Sequence, residues 1–217
     1  MEDSLFTQAR GLSSAEVSDA LDYFGLPGSA PGIAPVAGPR RLFGPAFTVR
    51  FAPVDSQSPG TVGDYLDEIP SGAIAVLDNA GRNDCTVWGG IMSRLAAHRG
   101  VAGTLIDGVC RDTAEADAAG YSLFARGRFM RTGKDRVQVD AVGMHVSLSG
   151  VRVAPGDIVV ADQDGVVRPG HAGGRARHRR RRAGRHVPAR RAAPVRLSHL
   201  AAQARARRLT PSFFLAN

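Results

Sequence analysis

A chain that places a helix, an apolar strand and a charged pair within twenty-five residues has few folds open to it, and residues 88–112, WGGIMSRLAAHRGVAGTLIDGVCRD, do so. Gly89 and Gly90 open the helix. Ile91, Leu95 and Ala96 follow at roughly helical spacing, leaving Arg94, His98 and Arg99 for the outer face. Gly100 stops the helix, because only glycine takes a left-handed backbone without steric cost. An apolar strand is then expected over residues 101–106, with Gly103 inside it. A tight turn is expected over Asp107, Gly108, Val109 and Cys110, delivering Arg111 and Asp112.

Ligands in open α/β sheets gather at the carboxyl ends of strands. Arg111 offers a planar fork that grips a carboxylate. Asp112 offers the hard oxygen donors that suit Mg2+. Gly89 and Gly90 present bare backbone N–H groups to an anion at a helix start. Together these residues describe a site for a small carboxylate on a metal. The competing reading makes Arg111 and Asp112 only the cap of a helix beginning near Thr113. Spacing does not separate the two.

The order of motifs along the chain does more. Gly90, twenty intervening residues and Arg111-Asp112 resemble the hallmark of the RraA-like family, which includes class II 4-hydroxy-4-methyl-2-oxoglutarate and 4-carboxy-4-hydroxy-2-oxoadipate aldolases and the regulators of ribonuclease activity A. DALDYFGLPG, FGPAFTVRF, WGG, IDGVCRD and APGDIVVADQDGVV fit the same family, so the resemblance covers about residues 10–168. It implies an α/β fold, a swivelling α/β/α sandwich with a mixed sheet, assembled as a homotrimer or homohexamer. It implies a divalent cofactor, Mg2+ or Mn2+, held by Asp112. It gives Arg111 the catalytic role and places substrate on Gly89, Gly90, Ile91, Met92 and Arg111.

The implied reaction is retro-aldol cleavage of a 4-hydroxy-2-oxo dicarboxylic acid to pyruvate and a second 2-oxo acid, with oxaloacetate decarboxylation as a side activity. Lewis-acid stabilisation of an enolate suits such chemistry. One departure stands out. In the aldolases a carboxylate occupies the position of Gly90 and holds a water of the metal's shell. Another acid comes from the C-terminal part of a neighbouring subunit. Here the first position is glycine and the C-terminal segment has no acid, so a weakened outer shell is expected. The alternative is a non-catalytic regulator that binds a ribonuclease. Members of that kind tend to lose the aspartate after the arginine, which this chain retains. No glycine-rich S-adenosylmethionine loop supports a methyltransferase.

Composition divides the chain. The net charge of +8 comes from the end: residues 171–217 hold 13 Arg, no Lys and no acid. Residues 1–170 carry 15 basic and 20 acidic side chains, about −5. The expected organisation is an RraA-like α/β domain over 1–170 and an Arg-rich tail over 171–217. That tail reads either as a basic arm for nucleic acid or an acidic surface, or as the product of a shifted reading frame. Disorder is expected there. No apolar run approaches the ~20 residues of a membrane span, and the N-terminus lacks a signal-peptide core, so a cytoplasmic protein with no membrane partner is expected. Cys85 and Cys110 form no disulfide framework. Cys110 beside Arg111 reads either as an activated thiol or as a small residue tucked into a turn.

The remaining elements follow from pattern. Ser13 and Glu16 have capping-box spacing, and the helix after them should bury Val17, Ala20 and Leu21 until Gly25. Residues 26–40 read as an extended crossing. Strands are expected at 45–51 and 72–77, with a short helix at 60–69 between them. A polar loop at 80–86 brings Asn79, Arg82, Asn83 and Asp84 near the pocket in sequence. A helix is expected at 113–119 and a short strand at 122–125. Arg126, Arg128 and Arg131 lie on an expected loop, from which one could meet a second carboxylate. Strands at 138–142, 144–148, 158–161 and 166–167 complete the domain.

Overall fold

The structure is a computed structural model, and it describes residues 10–171. The expectations for the Arg-rich tail, apart from its first residue, lie outside the described residues.

Helix α1, Ser14–Tyr23, begins as its sequence dictates. The Ser13 side chain accepts from the Glu16 backbone and the Glu16 side chain accepts from the Ser13 backbone, a complete capping box. The helix buries Val17, Ala20 and Leu21. Two short strands follow, β1 Ser29–Ala30 and β2 Ala34–Ala37, in the segment expected to be an extended crossing. The long strand β3, Leu42–Pro53, is followed by a 3-10 turn at Asp64–Glu68, where a short helix was expected, and by β4, Ile74–Thr86. Then come α2 Gly90–His98, β5 Gly103–Cys110, α3 Thr113–Ala118 and β6 Leu123–Arg128. The rest is β-structure: β7 Val137–Val142, β8 Val146–Leu148, β9 Val151–Val153, β10 Asp157–Asp162 and β11 Gly165–His171.

The result is a mixed α/β fold around a mixed sheet, in the order β1-β11-β10-β3-β4-β5-β6-β2, with β7 pairing the far half of β3. Strands β3, β4, β5 and β6 run parallel, and the β10–β3, β3–β7 and β6–β2 pairings are antiparallel. Alternation decides which side each residue serves. On β4, Ala75 and Leu77 join the core that includes Trp88, Ala96 of α2 and Ala116 of α3. Ile74 and Val76 join the core built with Val146, Leu148, Val151 and Val153 of the β8–β9 hairpin. A third cluster seats α1 on β10 and β11 through Leu21, Ile158 and Val167. Strand β5 is buried at every position, as expected of a parallel strand covered on both faces.

Three local expectations change. The expected turn at Asp107, Gly108, Val109 and Cys110 is the second half of β5. Gly108 pairs with Arg82, Val109 with Thr86 and Gly127, and Cys110 with Arg128. The expected polar loop at 80–86 is the second half of β4, whose register against β5 shifts twice. Ala80 (φ 53°) and Gly81 (φ 70°) absorb the first shift. Its polar composition reads as loop, but Arg82 and Thr86 pair with β5, and Thr86 also bonds the backbone of residues 131–132. Arg126 and Arg128 stand on β6 rather than a loop. Arg126 Nε donates to the buried Asp107 carboxylate at 2.5 Å, and Arg128 donates to the Val36 carbonyl. Among the described residues no helix is long and apolar enough to cross a membrane.

Candidate active site

The pocket grows from the ends of β4 and β5. Buried Trp88 anchors the first of these ends. Its ring stacks on Tyr121 at 5.9 Å, and its indole Nε1 donates to Ser93 Oγ at 2.9 Å. Ser93 Oγ in turn donates to the Gly89 carbonyl, so the turn into α2 is fixed from below. Gly89 is the N-cap, in extended conformation, and supplies no side-chain cap. Space explains the glycine. A Cβ there would stand 2.8 Å from Asp112 Oδ2 and 3.3 Å from Arg111 Nε.

Strand β5 delivers Arg111 directly. The Arg111 amide donates to the Trp88 carbonyl at 3.2 Å, which ties the strand end to the glycine turn. Asp112 then takes a left-handed backbone, φ 55° and ψ 39°. Non-glycine residues seldom adopt this conformation, and the strain of such positions concentrates at functional sites. Asp112 precedes α3 yet makes no side-chain cap to it. Its Oδ2 instead accepts from the Gly90 amide at 3.2 Å and pairs with Arg111 Nε at 3.3 Å. Asp112 is the N-cap of α3 by position, and its carbonyl accepts from the Glu115 and Ala116 amides, but its carboxylate turns back toward the α2 glycines instead of capping the helix.

All six sequence-chosen residues line one cavity of about 370 Å³: Gly89, Gly90, Ile91, Met92, Arg111 and Asp112. Ile91 is 73% exposed and forms rim rather than floor. Thr86, Glu115, Thr132 and Lys134 join them in the lining, with Val62 as an apolar wall. Sequence reasoning missed these. Thr132 and Lys134 arrive because the Thr86 amide donates to the Arg131 carbonyl and Thr86 bridges Thr132. No local pattern announces that long-range pairing. Asn79, Arg82, Asn83, Asp84, Arg126, Arg128 and Arg131 stay out of the lining. Asn79 is buried and bonds the Cys85 carbonyl. Arg82 pairs with Asp84 at 2.8 Å, and its hydrogen bond holds the Asp84 carboxyl below its usual range.

Glu115 did have a signal in the sequence. It follows Asp112 by three residues, close enough to reach the same pocket from the first turn of α3. The structure uses that spacing. A Cβ on Gly90 would fall 2.5 Å from Glu115 Cδ and 2.9 Å from its Cβ. The Glu115 carboxylate thus fills the space that a side chain at position 90 would take. The position expected to lack a carboxylate has one, supplied by the neighbouring helix.

Two carboxylates beside an arginine suit a hard divalent cation. Mg2+ is commonly held by one or two carboxylates together with water and substrate. Among the described residues no group of three or more His, Cys, Asp or Glu is placed to hold a metal ion, and the cavity lining itself offers the carboxylates of Asp112 and Glu115. Cys110 takes the inert reading. Burial pushes its thiol up to about 12, outweighing the nearby Arg128 charge, and its Sγ faces the Gly127 carbonyl.

Known proteins share this arrangement of fold and sequence. A solved structure of an uncharacterized protein from Pseudomonas syringae pv. tomato superposes with a TM-score of 0.76 at 35% identity, covering 95% of this chain and 87% of that one. A protein of Halalkalibacterium halodurans named "Putative 4-hydroxy-4-methyl-2-oxoglutarate aldolase" is 32% identical over 167 residues, 76% of each chain. Protein DlpA of Legionella pneumophila is 34% identical over 166 residues, 76% of this chain but only 27% of its own length. The family description "RraA-like: Aldolase/RraA" matches residues 14–168. With most of its length matched, the chain belongs to the RraA-like family.

Proposed function

We propose that the protein is a divalent-metal-dependent carbon–carbon lyase of aldolase type. Its substrate is a 4-hydroxy-2-oxo dicarboxylic acid, and its products are pyruvate and a second 2-oxo acid. One observation carries the reading: Arg111, Asp112 and Glu115 converge on the bare glycine pair within a single cavity.

Asp112 and Glu115 are the residues that would hold Mg2+ or Mn2+. Such an ion supplies Lewis acidity toward the 2-oxo carboxylate. Arg111 binds that carboxylate and donates to the C2 oxygen as negative charge builds there. Gly89 and Gly90 line the cavity that receives the substrate, and their missing side chains leave the room in which Arg111, Asp112 and Glu115 stand. Lys134 adds a second cation to the lining, suited to the distal carboxylate. In the reaction the C4 hydroxyl proton passes to water and its electron pair closes the C4 carbonyl. The C3–C4 bond breaks, its electrons form the enolate, and protonation at C3 yields pyruvate. Decarboxylation of oxaloacetate uses the same enolate and follows as a side activity. The reading also carries a homotrimer or homohexamer.

The test is pyruvate release from a panel of 4-hydroxy-2-oxo acids and oxaloacetate. Mg2+ or Mn2+ should support it and EDTA should stop it. Arg111→Ala and Asp112→Ala should abolish it while the thermal melt persists. Full activity in either variant overturns the assignment. A metal-replete protein that releases no pyruvate from any member of the panel leaves the ribonuclease-regulator reading in its place.

A further inference from the structure

Arg94 is absent from the cavity lining, yet it reaches the cavity through one contact. It stands four residues after Gly90 on α2, so the two positions share a helix face. Its Nη1 lies 2.8 Å from Glu115 Oε2. Other short arginine–carboxylate pairs, Arg50–Asp140 and Arg82–Asp84, end on carboxylates outside the lining. The Arg94 pair ends on a carboxylate that is part of it.

The bare backbone at Gly90 makes this contact possible. The Glu115 carboxylate rests where a residue-90 side chain would be, with Arg94 one turn farther along the same face. A half-exposed glutamate otherwise samples several rotamers, and ordering such a side chain at the moment of binding costs roughly two- to tenfold in affinity. An arginine fork is pre-organised to hold a carboxylate, whereas a lysine ammonium is a mobile point charge.

We propose that Arg94 is a positioning residue: it holds Glu115 against the Gly90 backbone so that this carboxylate stands ready, alongside Asp112, for a divalent cation. The inference rests on the metal-site reading above and deepens it. The geometry opposes two effects of Arg94. Its positive charge repels a cation, while its grip orders the ligand. Arg94→Lys separates them, because it keeps the charge and loses the fork.

The experiment uses the full chain and MnCl2 alone, with free Mn2+ followed by electron paramagnetic resonance. Arg94→Lys should weaken Mn2+ binding by roughly two- to tenfold, and Glu115→Ala by about 10- to 100-fold. Adding Arg94→Lys to Glu115→Ala should change nothing further, since residues acting through one contact are non-additive. Thermal melts of each variant report the fold separately. A pair that only staples α2 to α3 would lower the melting temperature and leave Mn2+ affinity unmoved, which overturns the proposal. So does Mn2+ binding by Arg94→Lys as tight as, or tighter than, that of the parent protein. So does an equal loss in the Glu115→Ala background. If the parent protein binds Mn2+ through Asp112 but releases no pyruvate, the lyase reading falls and the cycle still decides the role of Arg94. A parent protein that binds no Mn2+ overturns both.

Discussion

Replacing Gly90 by alanine isolates the idea that two helices share one carboxylate position. In an open helix interior, glycine to alanine stabilises by about 1 kcal/mol, which sets the ceiling for Gly90, the first residue of α2. Here the new methyl would lie 2.5 Å from Glu115 Cδ and 2.9 Å from Glu115 Cβ. The carboxylate end can swing away, but the Glu115 Cβ is fixed to the backbone of α3 and moves only with that helix. Overpacking of this kind costs about 1–3 kcal/mol. The two effects sum to a destabilisation of about 0–3 kcal/mol. The displaced Glu115 also leaves Arg94. Mn2+ affinity should therefore fall by about 10- to 100-fold, the scale for losing a supporting ligand. Urea denaturation and Mn2+ titration of the same preparation measure the two quantities. If Gly90→Ala gains the full helix-propensity increment and binds Mn2+ like the parent, the space at Gly90 is not reserved for Glu115 and the reasoning fails.

Further outcomes follow from single residues. Asp112→Gly should abolish pyruvate release yet leave stability within about 1 kcal/mol, because relief of the left-handed backbone offsets the lost contacts; chemical denaturation with a parallel activity assay checks this. Burial opposes the charge on Asp162, but hydrogen bonds from Ser14 Oγ at 2.5 Å and the Ser14 amide at 2.7 Å outweigh it and hold its carboxyl below the usual range. A depressed folded-state value means that this stabilisation is full above the unfolded carboxyl range near pH ~4. It is lost as pH falls through the depressed value. Asp162→Asn should accordingly flatten the acid limb of a stability–pH curve measured by urea denaturation, while an unchanged limb refutes the assignment. Cys110 should resist iodoacetamide at pH 8 in the folded protein and react after unfolding, as mass spectrometry would show.

How much of this was legible beforehand depends on the range of the interaction. The capping box at Ser13 and Glu16, the glycine opening of α2 and the glycine end at Gly100 are local, and the chain shows them directly. The continuation of β4 through Asn83 and Asp84 was hidden. A strand twice shifted in register carries loop-like residues, and only its pairing with β5 identifies it. Thr132 and Lys134 were hidden for the same reason: they enter the cavity through a bridge to Thr86 some forty-five residues away in sequence.

The chain by itself determined the family, the glycine pair and charged pair of the pocket and the order in which helix, strand and charged pair appear, because those depend on spacing along one backbone. Tertiary structure decided where the second carboxylate comes from. Glu115 and Gly90 lie 25 positions apart, and nothing in their spacing says that one carboxylate fills the vacancy left by the other's missing side chain. That follows only from α2 and α3 packing side by side, close enough that the volume beside Gly90 admits one side chain and no more.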